Sequence, residues 1–500
     1  MRFRTIGFYG YYTNKYPDLN STENMSSKIM QFYTPELSKS VRNLDEALHS
    51  IYNRYDRQAE RLGFSIDLES YYARIESDLL KRYLLKHPLL RTLSELRGNT
   101  RACVLTEPMW GLSMNLCLPY ASVFMLSFGM SDVQVGLVAS IYMFSQTIFA
   151  FLSGVIVDKY GRRFSTMLFD FLAWSVPCLI WASSQGFWFF AVAALFNGMM
   201  KVTTVSWDCL TVEDAPRDKI THIYSWIIIA GNLSALFAPI SSILVAKLTL
   251  IPAIRVLYIN AFVVMTLKIF LLYRFSTETA IGRIRQEAVK ELTWVQMLGG
   301  YKGAVKSIMT SPGTRFAIVI SVLVEIAVMI GMTFWQIIAS RRIGIPDVML
   351  PIFPMAKSVL SILLFFTVLS RIKQSNLKLP MYGGFLSAII SALLLISVPG
   401  TGPLGYFLLC LSLAFEALGF AILGTLRESL VAIHVNPEDR SRVMALLQTT
   451  VMLISVPFGY IGGVLSDIDR VLPFVLNMGL LCLGILATAM FFGRKDPKQL

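Results

Sequence analysis

Charged side chains are scarce in this chain. Asp, Glu, Lys and Arg make up 15% of its 500 residues, against about 25% in soluble domains, which argues against an ordinary soluble enzyme. Cysteine is sparse as well. Cys103, Cys117, Cys178, Cys209, Cys410 and Cys482 stand singly, mostly inside apolar runs, so they give neither a disulfide framework nor a metal-ligand spacing and read as small packing residues. The chain lacks a G-x-x-x-x-G-K loop, a metal-binding cluster and a nucleophile elbow in a credible setting. An enzyme, a cofactor and ATP-driven transport by this chain alone are therefore not expected. Its first residues have no continuous apolar stretch, so no cleaved signal peptide is expected.

What is present is apolar sequence, 55% of the whole, with a formal net charge of +13. A nucleic-acid binder displays its cations on a soluble face; here they lie between apolar runs, which excludes that partner. A bilayer core of about 30 Å needs about 20 apolar helical residues, and the runs predict spans near 112–129, 133–157, 164–183, 187–210, 222–246, 254–274, 315–338, 349–369, 380–399, 403–425, 442–465 and 470–492. Lys and Arg concentrate in the even-numbered connections and the C-terminal tail, while the opposite loops hold only Lys247, Arg255, Arg341, Arg342 and Arg470. The positive-inside rule then predicts that both termini are cytoplasmic. The expected organisation is an N-terminal cytoplasmic extension 1–100, a six-helix bundle 103–274, an inter-half loop 275–314, a second bundle 315–493 and a tail 494–500.

Between the second and third runs lies Gly154-Val-Ile-Val-Asp158-Lys159-Tyr-Gly161-Arg162-Arg163. Two glycines permit close approach, and one acid and three cations crowd one membrane face. The spacing G-x-x-x-D-K-x-G-R-R closely resembles the loop between the second and third helices of the major facilitator superfamily of secondary transporters. That resemblance implies an all-α membrane fold of twelve helices in two halves rocking about a midplane site. It also implies a cytoplasmic gate, with Asp158 meeting the start of span 11 near Arg440 and the arginines tied to Asp208, Glu213 or neighbouring ends that include Arg217. The halves repeat weakly: shifting 216–244 by 221 positions sets Pro216 on Pro437, Asp218 on Asp439 and Ala238 on Gly459. The matching C-half turn, Ser370-Arg371-Ile372-Lys373-Gln374-Ser375, keeps cations but lacks the acid and both glycines, so the latch is expected to be one-sided.

Before the membrane, Leu37, Val41, Leu44, Leu48, Ile51 and Tyr55 recur at helical spacing, Gly63 interrupts, and Leu68, Tyr72, Ile75, Leu79 and Tyr83 resume it. This pattern predicts a cytoplasmic helical hairpin packed on itself or on the inner face. A short coiled-coil dimer or docking on the membrane surface are the alternatives.

Ionisable residues inside spans are costly and therefore informative. Lys268 and Lys357 lie near span ends and are expected to snorkel; Asp170 is expected to pair with Arg162 or Arg163. Glu325, Lys201 and Glu416 fall near mid-span. By the resemblance, spans 1, 4, 7 and 10 line the central cavity, so these three are expected to face one chamber, with Asn115, Tyr120 and Gln336 as polar neighbours. Trp110, Trp174, Trp207 and Trp226 read as interfacial anchors.

Two family patterns are altered. Ala194 stands where many relatives carry a span-four arginine four residues before a glycine, here Gly198, and Lys201 supplies a cation on nearly the same face. The glycine-rich stretch of antiporters in span five reads Ala238-Pro239-Ile240-Ser241-Ser242, which keeps the proline alone. The expected function is alternating-access transport of a small organic solute with H+, by a monomer in the cell membrane, outward in the lead reading and nutrient uptake in the second. A non-transporting sensor signalling through residues 36–90 is the rival class.

Overall fold

The computed structural model describes residues 88–216, 219–299, 308, 310–367, 377–434 and 440–493. The hairpin expected before the membrane, Arg217, the turn 370–375 and the tail 494–500 lie outside these residues.

Among the described residues every regular element is helical. Twelve helices are long and apolar enough to cross a bilayer. They are span 1 Gly98–Leu126, span 2 Asp132–Tyr160, span 3 Arg162–Ala182, span 4 Phe187–Val212, span 5 His222–Leu248, span 6 Leu250–Phe275, span 7 Pro312–Ile343, span 8 Asp347–Leu364, span 9 Lys378–Ile396, span 10 Pro403–Arg427, span 11 Val443–Ile468 and span 12 Leu472–Gly493. The face carrying 158–163 is called the motif face, and its opposite the far face.

Span 1 is longer than its apolar run. Arg101, Glu107 and Pro108 mask its first turns, yet the helix runs from Gly98 because polar contacts hold it there. Asn99 donates to Asp214 at 3.0 Å and accepts from the Thr277 amide at 2.8 Å, and the Thr100 hydroxyl donates to the Thr211 carbonyl at 2.8 Å. Ahead of it, helix Pro88–Glu95 anchors on the start of span 5 through Lys219–Glu95 at 2.6 Å and a Thr92–His222 hydrogen bond at 3.0 Å.

The inter-half segment is itself partly helical, at Ala280–Val289 and Trp294–Gly299. Thr279 caps the first of these by accepting from the Gly282 amide at 2.8 Å, which satisfies a backbone donor that the helix cannot.

On the far face the halves are zipped. Spans 2 and 11 approach so closely that a Cβ on Gly136 would collide with the Gly459 carbonyl oxygen and lie 2.7 Å from the Gly463 Cα. The Ser140 hydroxyl donates to the Val456 carbonyl at 2.7 Å and accepts from the Tyr460 amide at 2.8 Å. Buried Asp132 accepts from Ser466 at 2.7 Å and from Arg470 at 3.3 Å. Spans 1 and 7 join likewise: Gln336 donates to the Leu118 carbonyl and accepts from the Ser122 amide, both at 2.8 Å. Small residues permit this backbone approach, and the polar groups hold it.

The tryptophans are built into the bundles. Trp110 meets Trp174 edge-on at 5.4 Å within the main core, Trp207 packs against Cys103 and Leu272, and Trp226 against Ile223. All six cysteines are free, with Cys103, Cys117 and Cys178 buried, Cys209 half-buried and Cys410 and Cys482 exposed.

Candidate functional site

Near mid-span, both halves carry charged side chains. At 1.5 Å per residue, Glu325 stands about 20 Å along span 7 from its motif-face end, and Lys201, Lys357 and Glu416 occupy the middles of spans 4, 8 and 10. Two cross-helix ion pairs organise the second half. Arg427 of span 10 contacts Glu325 at 3.2 Å, and Lys357 of span 8 contacts Glu416 at 2.6 Å. The four side chains remain 20–36% exposed. Charges at this depth do not face hydrocarbon, so that exposure marks a polar space inside the bundle. A Cβ on Gly331 of span 7 would find only the Glu416 carboxylate, at 4.0 Å. This leaves room beside the pair.

Lys357 was expected to snorkel, and its partner on span 10 overturns that reading: a carboxylate within reach stabilises the ammonium where it stands. Lys201 projects from the other half, with Glu325 and Arg427 as the charges in electrostatic reach. It makes neither a hydrogen bond nor an ion pair among the described residues.

A second cluster lies inside the first half. Lys268 of span 6 contacts Asp170 of span 3 at 2.6 Å, with 4% and 2% of their side chains exposed. Lys268 therefore turns inward rather than snorkelling. Asp170 does not pair with Arg162 or Arg163, because both arginines are held elsewhere. Glu107 of span 1, a residue hidden in the sequence by its place before Pro108, completes the cluster within electrostatic reach of both charges.

At the motif turn, Gly161 has φ +85°, which a glycine adopts without strain. It turns the chain directly into span 3. The first amides of that helix, Arg162 N–H and Arg163 N–H, each donate to Glu278 at 3.0 Å, so a carboxylate from beyond span 6 caps a helix N-terminus where negative charge is favoured. The Arg162 guanidinium donates to Asp158 at 3.0 Å and to Glu213 at 3.2 Å, and the Thr279 hydroxyl donates to the same Glu213. Arg163 donates to the Tyr273 carbonyl at 2.7 Å and lies 3.9 Å over the Tyr273 ring. Lys159 sits 5.6 Å over the Trp294 ring.

The profile of the Major Facilitator Superfamily matches residues 109–455. The chain belongs to the Major Facilitator Superfamily. Solved structures of the superfamily fold agree at low identity. The nucleoside transporter NupG is similar with TM-score 0.60 and 14% identity over 80% of this chain and 100% of that one. A POT family transporter in complex with a thioalcohol-conjugated peptide gives 0.58 and 12% over 80% and 98%. The inward-open xylose transporter XylE from E. coli gives 0.57 and 14% over 80% and 98%. No characterised protein sequence matches the chain closely.

Within this superfamily member, the residues expected in the cavity separate. Glu325, Glu416 and Lys201 lie near mid-span, with Lys201 in electrostatic reach of Glu325. Tyr120 is instead fully buried in the core, and the Asn115 amide is turned onto its own helix, donating to the Gly111 carbonyl at 2.7 Å. Gln336 bridges the far-face seam. Among the gate residues, Asp158 engages Arg162 of its own half, and the Arg440 side chain lies outside the described residues. Glu213 joins Arg162; Asp208 has no hydrogen bond or ion pair among the described residues.

Proposed function

We propose that this secondary transporter moves a small organic solute by alternating access, coupled to protons at Glu325, with net movement outward across the cell membrane. The Arg427–Glu325 pair is the observation that supports it. On this reading, neutralising Glu325 by a proton removes the charge that holds Arg427, and loss of the proton restores it. Since Lys201 of the opposite half also lies within reach, the charge on Glu325 alters the attraction between halves as well as within one. The closed far face and the motif-face turn held within its own half suit one stage of that cycle, with the motif face taken as cytoplasmic.

Outward movement draws on span 5, which is interrupted between Ala235 and Ile240 at Pro239. There the one retained residue of the antiporter pattern breaks the helix at a seam between halves. The gate reading of Gly154, Asp158, Lys159, Gly161, Arg162 and Arg163 rests on the contacts of Arg162 with Asp158 and Glu213.

The test is flux in proteoliposomes under an imposed pH gradient. Wild-type flux should follow the gradient, and Glu325→Gln should retain solute exchange while losing that dependence. An unchanged pH dependence in the variant would refute coupling at Glu325. Absence of flux from the intact chain would favour the sensor instead.

A further inference from the structure

Lys201 differs from the other charged side chains near mid-span. Glu325 and Glu416 each already have a cation, at 3.2 Å in one case and 2.6 Å in the other. The Lys201 ammonium, half-buried near mid-span, has no hydrogen bond or ion pair among the described residues, and Glu325 and Arg427 are the charges in its electrostatic reach. Asp208 shares its face of span 4 but lies seven residues further on, about 10 Å along the axis, beyond direct contact.

An ammonium at this depth without a direct ion pair is costly unless a counter-charge meets it. We propose that the solute supplies that charge: the substrate is a small organic carboxylate, with its acid group on Lys201 and its apolar body against the surrounding side chains. This deepens the transporter reading and rests on it. A carboxylate on an ammonium forms the stronger, charge-assisted class of hydrogen bond, whereas an organic cation approaching Lys201 meets a like charge.

Several neutral polar groups that a polyhydroxylated solute would use are committed locally. Asn115 donates to the Gly111 carbonyl and Asn232 of span 5 to the Ile228 carbonyl at 3.0 Å. Gln336 is held by both Leu118 and Ser122, and the Thr204 hydroxyl donates to the Met200 carbonyl at 3.0 Å. Lys201 alone is uncommitted among these side chains.

The experiment compares isosteres on the purified full chain at neutral pH by thermal shift. Benzoate, phenylacetate and indole-3-acetate are each set against the corresponding amide and amine. At least one carboxylate should raise the melting temperature by linkage, with its amide binding about tenfold more weakly and its amine weaker still. Lys201→Gln should reduce carboxylate affinity to that of the amide, while Lys201→Arg, which keeps the charge, retains most of it. The proposal fails if no carboxylate stabilises the protein, if an amide or amine binds as well, or if Lys201→Gln binds carboxylate like the wild type. Carboxylate binding without flux in proteoliposomes would leave this assignment standing and sink the transport reading. Flux of an amine would do the reverse.

Discussion

Lys268 and Asp170 form a buried ion pair, Nζ to Oδ2 at 2.6 Å, between spans 6 and 3 of the first half. With Glu107 in electrostatic reach from span 1, it links three helices. Stability and specificity separate here. A buried pair is weak evidence for net stability, but removing one partner strands the other's charge.

Asp170→Ala or Lys268→Ala should therefore cost about 3–5 kcal/mol, the usual penalty for breaking a buried pair. The double replacement Asp170→Leu with Lys268→Met should recover most of it. Thermal unfolding of the purified protein in detergent checks both. A single variant as stable as wild type would show that the charge is compensated from elsewhere.

Gly161→Ala should disturb the motif turn twice. The residue occupies φ +85°, and the added Cβ would lie 2.5 Å from the Glu278 carboxylate that caps span 3. Backbone strain of this kind costs about 1–3 kcal/mol, and displacing Glu278 removes two amide hydrogen bonds. Lower thermal stability is the expected reading. Glu278→Gln, which keeps one acceptor oxygen but no charge, should lose less.

Gly136→Leu should hold the far face apart. A Cβ alone would collide with the Gly459 carbonyl and the Gly463 backbone, and neither is the end of a flexible side chain. The variant is expected to lose transport. In a background without the native cysteines, Ser466→Cys should react with a membrane-impermeant maleimide from the far side much faster when Gly136→Leu is present. Equal labelling rates would place the obstruction elsewhere.

Much of this architecture is legible in the sequence, for identifiable physical reasons. Apolar runs report spans directly, since every backbone group in hydrocarbon must be satisfied within a helix. The turn 154–163 reads well because glycine and charge are both conspicuous between such runs. Depth along a helix follows from counting residues, which is how Glu325, Glu416 and Lys201 stand out.

Pairing is not legible in the same way. Arg427 and Lys357 look like span-end cations until spans 7, 8 and 10 are packed. Asp170 finds Lys268, 98 residues away, rather than the arginines close to it in sequence. Glu278 resembles an ordinary loop acid, and only the fold places it on the first amides of span 3. The start of span 1 is missed because Arg101, Glu107 and Pro108 interrupt its hydropathy, although polar neighbours satisfy the helix there.

The central claim is that the two halves alternate, and the far-face seam offers the most direct test. Asp132 and Ser466 belong to opposite halves, with a 2.7 Å hydrogen bond between them. Asp132→Cys with Ser466→Cys, in the cysteine-free background, should form a disulfide under mild oxidation that holds this face shut. Flux of a stabilising solute in proteoliposomes should then stop and return on reduction. Undiminished flux through the fully cross-linked protein would contradict alternating access.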